Sequence, residues 1–266
     1  MTPDVFGLAG RRVLVTGAAG GIGAALLAAF RDAGARLIAC DRAGPALDAL
    51  DVEQHLSFDL GDAAQIDAAL DALRGPDQVP DVVVNNAGYT RQETLRRSDA
   101  DAAQREIDVN LGGTMRFTAG LLPAMAARGG GAIVFVASVN ALLHVGNPAY
   151  SAAKAGMLAW CRAVAVEYAR AGIRANAVCP GSVRTPAWDH RLEKDAGLME
   201  RTARFYPLGR LVEPREVAAA ALFLASPLAG AITGAALPVD GGLSAGNLDF
   251  IQTILDPDAP SAGRPD

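Results

Sequence analysis

Two side chains that can share a proton lie four residues apart in the chain. Tyr150 and Lys154 stand in the run Tyr-Ser-Ala-Ala-Lys, and on a helix this spacing brings both side chains to one face. A phenol titrates near pH about 10, so it exchanges protons near neutrality only where something stabilises the phenolate. Because a neighbouring ammonium does this directly, the pair predicts a proton donor or acceptor beside a cation.

A glycine-rich segment near the start of the chain predicts a phosphate site. The run 11–16 is rich in β-branched residues, the segment Gly17-Ala-Ala-Gly-Gly-Ile-Gly23 follows it, and an apolar stretch begins at Ala24. This pattern is typical of a strand, a tight loop and a helix N-terminus, where backbone N–H groups hold a pyrophosphate. A second apolar run ends in Asp41, whose carboxylate can bind ribose hydroxyl groups and repel a 2′-phosphate.

These features are accompanied by further motifs in a fixed order. Asp59-Leu60, Asn85-Asn86-Ala87-Gly88, Asn110, Ser138 twelve residues before Tyr150, and Pro180-Gly181 followed by Thr185 succeed one another along the chain. Together with Thr16-Gly17-x-x-x-Gly21-x-Gly23, this set resembles the short-chain dehydrogenase/reductase family. The resemblance extends over about residues 8–242, which is nearly the whole protein.

The resemblance implies an oxidoreductase with four catalytic residues, Asn110, Ser138, Tyr150 and Lys154. Tyr150 is expected to accept or donate the proton of the substrate hydroxyl group, since loss of hydride from a carbinol carbon requires loss of that proton. Lys154 is expected to stabilise the phenolate and hold the ribose. Ser138 is expected to orient the substrate oxygen, and Asn110 to hold a water that carries the proton outward.

The same resemblance, with Asp41 at the end of the second predicted strand, implies NAD as the cofactor. No metal is expected. The residues expected to bind NAD are Gly17, Gly21, Ile22, Gly23, Asp41, Arg42, Asp59, Leu60, Asn86, Ala87, Gly88, Tyr150, Lys154, Pro180, Gly181, Val183 and Thr185.

The substrate pocket is expected to follow Ser138 and to include a lid at about 184–207. The residues expected to line it are Ser138, Asn140, His144, Tyr150, Arg184 and Trp188. Such a polar and cationic lining suits a hydroxyl-rich or anionic small molecule better than a long acyl chain. The predicted reaction is therefore hydride transfer between NAD and a secondary alcohol or ketone, namely a sugar, a polyol or a small hydroxy acid.

Two other functions remain open at this point. The first is an NADPH-dependent 3-ketoacyl-type reductase. Asp41 and the absence of a basic residue at 18–20 argue against it, whereas Arg42 leaves it open. The second is a dinucleotide-sensing protein without turnover, against which the complete set of four catalytic residues argues.

Composition agrees with one enzymatic domain. The chain has 266 residues, 51% of them hydrophobic, which suits one sizeable core. We expect a single domain over 1–255 and a mobile tail over 256–266. The strands are expected near 12–16, 36–41, 55–58, 81–85, 132–137, 173–178 and 235–239. Their alternation with helices predicts an α/β fold, a Rossmann-type doubly wound parallel sheet of about seven strands with helices on both faces.

Charge and cysteine content bear on partners and location. The formal net charge of −5 gives no basic field for nucleic acid or for an anionic membrane. No apolar run reaches the roughly 18 residues of a membrane span. The three cysteines lack metal-binding spacing, so reduced thiols and a cytoplasmic location are expected. Small residues over 152–163 and the family resemblance predict a homo-oligomer, a tetramer first and a dimer second.

Overall fold

The computed structural model describes residues 4–75, 77–91, 94–186, 188, 192–193 and 195–256. All but the first residue of the predicted C-terminal tail, and several residues of the predicted lid, lie outside these ranges. Among the residues described, no helix is both long enough and apolar enough to cross a bilayer.

Seven parallel strands form one sheet, in the order β3-β2-β1-β4-β5-β6-β7. The prediction of a doubly wound parallel sheet is thereby confirmed; the first two strands have the expected ends, and the ends of the other five differ from the expected ones by at most two residues. The strands are β1 Arg12–Thr16, β2 Arg36–Asp41, β3 Gln54–Ser57, β4 Val82–Asn85, β5 Gly131–Val136, β6 Ile173–Pro180 and β7 Ala236–Val239.

Helices connect the strands and cover the sheet. Shorter helical turns lie at Leu95–Arg97, Val139–Ala141, Ala169–Ala171 and Pro227–Ala229, and one wider π-helical turn lies at Ile251–Leu255. The helices are α1 Gly21–Asp32, α2 Pro45–Asp48, α3 Ala63–Ala72, α4 Ala100–Ile107, α5 Thr114–Ala127, α6 Pro148–Glu167, α7 Leu198–Ala203, α8 Pro214–Ala225 and α9 Leu248–Phe250.

The core has two halves because successive side chains of a strand point to opposite faces. In β1, Val13 and Val15 pack on the face covered by α1 and α8, whereas Leu14 packs on the face covered by α5 and α6. All five residues of β1 are buried, as expected for a central parallel strand covered on both sides. Both faces are therefore closed, and the carboxyl ends of the strands form the open edge where a ligand can enter.

The connection between α4 and α5 is not a regular α-helix. Residues Asp108–Gly113 form a π-helical segment that joins the two helices. A side chain at Gly113 would place its Cβ 2.0 Å from the Leu60 carbonyl oxygen, so only glycine allows this approach. Such π-helical segments are often found at functional sites, and this one carries Asn110.

Candidate active site

A single cleft of about 1390 Å³ lies at the carboxyl ends of the strands. Many of the residues predicted from sequence to bind cofactor or substrate line it together, although they come from seven separate segments. They are Gly17, Gly21, Ile22, Gly23, Asp41, Arg42, Asp59, Leu60, Asn86, Ala87, Gly88, Ser138, Tyr150, Lys154, Pro180, Gly181, Val183 and Thr185.

The loop after β1 is held closely against the segment after β4. Gly17 has a φ of +64°, and a Cβ there would lie 2.8 Å from the Ala87 Cα atom. The Asn86 side-chain amide donates hydrogen bonds to the carbonyl oxygens of Thr16 at 2.9 Å and Gly17 at 3.0 Å. Both the backbone conformation and the close contact therefore require glycine at position 17.

The N-terminus of α1 opens into this cleft. Its N-cap residue is Gly20, so no side chain caps the first turn, and the cleft is lined by Gly20, Gly21 and Ile22. A Cβ at Gly23 would lie 2.1 Å from the Gly17 carbonyl oxygen, so glycine allows the loop to fold back on the helix. Backbone N–H groups and the helix dipole suit a phosphate group at this position.

Two carboxylates occupy the end of the cleft nearest the sheet edge formed by β3. Asp41 Oδ2 accepts a hydrogen bond from the Ala19 N–H at 3.0 Å, and Oδ1 accepts one from the Arg42 N–H at 2.8 Å. Asp59 Oδ1 accepts one from the Gly61 N–H at 2.7 Å. Asp41 therefore places a negative charge directly beside the glycine-rich loop.

Ser138, Tyr150 and Lys154 meet at the other end of the cleft. Ser138 follows β5 and is 7% exposed, whereas Lys154 on α6 is 2% exposed. Lys154 Nζ lies 5.5 Å from the centre of the Tyr150 ring and donates a hydrogen bond to the Val136 carbonyl oxygen at 2.8 Å. A phenol, a hydroxyl group and an amine are thus gathered where little water can reach the amine.

Burial is the largest effect on the pKa values of this group. It raises the pKa of the partly buried Tyr150 to about 12, while a hydrogen bond from Ser138 acts in the opposite direction and the Glu106 carboxylate adds to the rise. It lowers the pKa of Lys154 to about 7. Sequence reasoning predicted an ammonium that lowers the Tyr150 pKa, whereas in the structure burial raises it.

Asn110 lies behind the wall of the cleft. It is fully buried, and its side chain accepts a hydrogen bond from the Tyr89 N–H at 2.9 Å and donates to the Tyr89 carbonyl oxygen at 2.5 Å. A Cβ at Gly88 would lie 3.3 Å from Asn110 Oδ1 and 3.7 Å from Lys154 Nζ. Asn110 therefore holds the segment that separates it from the lysine.

The four substrate residues predicted in addition to Ser138 and Tyr150 are not among the residues that line the cleft in the described part of the chain. The Asn140 side chain accepts a hydrogen bond from the Ser138 hydroxyl group at 3.1 Å and donates to the Gly146 carbonyl oxygen and to Ser151 Oγ, so it ties Ser138 to its own loop. His144 is exposed. Arg184 is exposed and lies 3.9 Å from Glu213.

Trp188, the fourth, is 8% exposed and packs against Tyr206 and Leu211. Residues that sequence reasoning missed do line the cleft, among them Tyr89, Thr90 and Arg105. Tyr89 and Thr90 directly follow the Asn-Asn-Ala-Gly motif, a position that could have indicated them. No group of three or more His, Cys, Asp or Glu side chains suited to a metal ion occurs among the described residues.

This geometry agrees with comparisons to known proteins. Residues 17–244 match a family model described as enoyl-(acyl carrier protein) reductase. A solved structure of an oxidoreductase of the short-chain dehydrogenase/reductase family from Burkholderia thailandensis is 44% identical, with a TM-score of 0.86 and coverage of 92% of this chain and 97% of that chain. The chain belongs to the short-chain dehydrogenase/reductase family.

Two further members of the family have described activities. A galactitol 2-dehydrogenase (L-tagatose-forming) from Cereibacter sphaeroides is 39% identical over 90% of this chain and 96% of its own length. The structure of L-sorbose reductase from Gluconobacter frateurii, complexed with NADPH and L-sorbose, is 29% identical with a TM-score of 0.83 and covers 90% of this chain and 98% of that chain. As a member of the short-chain dehydrogenase/reductase family, this protein is an oxidoreductase that uses a nicotinamide dinucleotide.

Proposed function

We propose that the protein is an NAD-linked dehydrogenase that interconverts a secondary alcohol and a ketone on a sugar, a polyol or a small hydroxy acid. The observation that carries the proposal is the placement of Asp41 at one end of a single cleft and of Ser138, Tyr150 and Lys154 at the other. In a dinucleotide that spans this cleft, Asp41 would hold the adenosine ribose, and the Tyr150 and Lys154 end would hold the nicotinamide.

The residues of the cleft fit a dinucleotide at three points. The uncapped N-terminus of α1, lined by Gly20 and Gly21, suits the pyrophosphate. The Asp41 carboxylate suits ribose hydroxyl groups. The segment from Pro180 to Thr185 begins at the end of β6, which is separated from β2 by three strands. We expect this segment to contact the nicotinamide.

When bound, the nicotinamide takes up the hydride in oxidation and supplies it in reduction. In oxidation Tyr150 accepts the proton of the substrate hydroxyl group, and in reduction it returns a proton to the carbonyl oxygen. The Ser138 hydroxyl group orients that oxygen. Because burial disfavours the phenolate, the positive charge of Lys154 is needed beside it at the moment of proton transfer.

NAD is proposed over NADP because of charge. Asp41 is fixed by the Ala19 N–H, so it cannot move away from a 2′-phosphate without losing that bond, and juxtaposed like charges cost several kcal/mol. Arg42, which also lines the cleft, favours the second candidate, an NADPH-dependent reductase of the ketoacyl type. The structure of the related L-sorbose reductase was solved with NADPH, which also favours this second candidate.

The substrate class rests on the relatives that act on sugars and polyols, one of them named for galactitol and another solved with L-sorbose. The described part of the cleft adds the hydroxyl groups of Tyr89, Thr90 and Ser138, and the guanidinium group of Arg105. Such groups pair with substrate hydroxyl groups or a carboxylate, whereas an acyl chain would leave them without hydrogen bonds.

The test is a titration of the purified protein with NAD and NADP, followed by a substrate panel. The panel contains galactitol and other polyols, aldonates, aliphatic secondary alcohols and a 3-hydroxyacyl thioester. Turnover of a polyol or aldonate with NAD supports the proposal. Preference for NADP with the thioester supports the reductase instead, and dinucleotide binding without turnover of any substrate supports a sensing protein.

The assembly, the location and the single-domain organisation stay predictions. A homotetramer, or failing that a dimer, is proposed because α6 carries many small residues along 152–163, which permit close packing between subunits. Light scattering of the purified chain at micromolar concentration measures the subunit number, and a monomer would contradict this proposal.

A further inference from the structure

A buried tyrosine outside the proposed catalytic group holds one wall of the cleft. Tyr206 follows α7 and is 3% exposed. Its hydroxyl oxygen accepts a hydrogen bond from the Ser182 N–H at 2.7 Å. Ser182 lies between Gly181 and Val183, both of which line the cleft. The tyrosine thus reaches the cleft wall from behind, across 24 residues of sequence.

The Tyr206 ring packs closely against two segments that are distant in sequence, one at Gly181 and one at Gly241. A Cβ added at Gly181 would lie 2.8 Å from the ring Cε1 atom, and one at Gly241 would lie 3.3 Å from the Cδ1 atom. Trp188 and Leu211 complete a small apolar cluster around the ring. The ring therefore has little freedom to move, and the direction of its hydroxyl group is fixed by packing.

The Ser182 N–H donates to a side-chain oxygen, whereas the N–H groups of Gly181 and Arg184 donate to main-chain carbonyl oxygens. The Gly181 N–H binds the Val239 carbonyl oxygen at 3.1 Å, and the Arg184 N–H binds the Val212 carbonyl oxygen at 2.8 Å. These bonds join main-chain atoms and persist in any side-chain variant. The bond to Ser182 ends on a side-chain hydroxyl group, so a single substitution can remove it while the rest of the segment stays paired.

The position of this segment in the sheet limits what it can affect. Ser182 follows β6, whereas Asp41 follows β2 and Asp59 lies just after β3, at the other end of the strand order. Between them stand β1, β4 and β5. A shift of the wall at Ser182 therefore disturbs the end of the cleft that holds Tyr150 and Lys154, and leaves the Asp41 end in place.

We propose that Tyr206 is a positioning residue that fixes the Gly181–Val183 wall for the nicotinamide half of the dinucleotide. This inference rests on the proposed function, in which that half lies at the Tyr150 end of the cleft. Tyr206 itself is not among the residues that line the cleft in the described part of the chain. Its effect passes through the Ser182 backbone.

The experiment compares Tyr206→Phe with the wild type in binding of NAD and of ADP-ribose, which lacks the nicotinamide, by isothermal titration calorimetry. If the wild type prefers NADP, the pair is NADP and 2′-phospho-ADP-ribose. One neutral hydrogen bond is worth about 0.5–1.5 kcal/mol, so we expect the dissociation constant of the dinucleotide to rise by about 3- to 10-fold. The dissociation constant of the ligand that lacks the nicotinamide is expected to stay within about twofold of the wild-type value.

Tyr168→Phe is the matched control. Tyr168 packs against the core beyond the end of α6, away from the cleft lining, and both of its dissociation constants should match the wild type. Thermal unfolding of each variant shows that the fold is retained. If Tyr206→Phe binds the dinucleotide as tightly as the wild type, or loses affinity for both ligands equally, this inference is overturned while the proposed function stands. A wild-type chain that binds neither ligand would overturn the proposed function as well.

Discussion

Lys154 Nζ lies 5.5 Å from the centre of the Tyr150 ring, on the same face of α6. The amine is held there by the Val136 carbonyl oxygen at 2.8 Å, which fixes its distance from the phenol. Burial acts on both groups in the direction of their neutral forms. The pair therefore combines a phenol that resists ionisation with an amine that titrates near neutrality.

Tyr150→Phe removes only the phenolic hydroxyl group and is expected to lower kcat by about 10²- to 10⁴-fold, the usual range for a lost general acid or base. Dinucleotide affinity should change little, since the ring remains. Steady-state kinetics and calorimetry measure the two quantities. Tyr168→Phe, which removes a hydroxyl group far from the cleft, is the control, and near wild-type turnover by Tyr150→Phe would show that another group moves the proton.

Lys154 should make the free energy of unfolding depend on pH. Its pKa is about 7 in the folded protein, below the ordinary value of 10.5, so between these values the unfolded chain binds more protons and stability rises with pH. The slope for one proton is at most about 1.4 kcal/mol per pH unit. The stabilisation is lost as pH falls from about 10 towards 7.

Urea unfolding of the wild type and of Lys154→Met measures this slope. The measurements cover roughly pH 7.0 to 8.5, the lower part of the range in which Lys154 is protonated in the unfolded chain and neutral in the folded one. We expect the free energy of unfolding of the wild type to rise relative to that of Lys154→Met as pH rises. The window ends there because burial raises the pKa of Cys161 to about 12 and of Cys179 to about 11, which lowers stability at higher pH. A difference that is constant with pH would contradict the prediction.

Asp41→Ala is expected to shift the ratio of kcat/KM for NAD to that for NADP by tenfold or more, on the order of 1.4 kcal/mol, towards NADP. The reason is the loss of a fixed negative charge beside the 2′ position. Arg42→Ala provides the opposite control, because it removes the neighbouring cation and should shift the ratio towards NAD. If the wild type uses both nucleotides equally, Asp41 does not select the cofactor.

Gly23→Ala should prevent the loop after β1 from closing on α1. The new Cβ would lie 2.1 Å from the Gly17 carbonyl oxygen and 2.7 Å from that of Ala18, and both are main-chain atoms that cannot rotate away. Overpacking of this kind costs about 1–3 kcal/mol. We expect a lower melting temperature and loss of dinucleotide binding, whereas Gly246→Ala, which has open space around it, should leave both unchanged.

Much of the site follows from local spacing in the sequence. Tyr150 and Lys154 share a face because they are four apart on one helix, and the glycines at 17, 21 and 23 permit a close turn wherever the chain places it. Asp41 ends a strand in an α/β pattern, so it must lie at the ligand-binding edge of a parallel sheet. Each of these conclusions needs only the geometry of one element or the general rule of the fold.

Contacts between distant segments could not be predicted in this way. Asn140 and Trp188 have the polar and aromatic character of binding residues, yet in the structure Asn140 ties Ser138 to its own loop and Trp188 packs on Tyr206. The π-helical segment that carries Asn110 depends on the approach of Gly113 to Leu60. Nothing in the spacing of these residues distinguishes a side chain that faces a ligand from one that faces protein.

The sequence by itself determined the order of strands and helices, the glycine loop and the residue types brought to the cleft, because these depend on periodicity and on short-range sterics. Only the tertiary structure decided the burial that shifts the pKa values of Tyr150 and Lys154, and the hydrogen bond from Ser182 to Tyr206. The physical reason is that desolvation and packing depend on every segment around a group, and those segments are far apart along the chain.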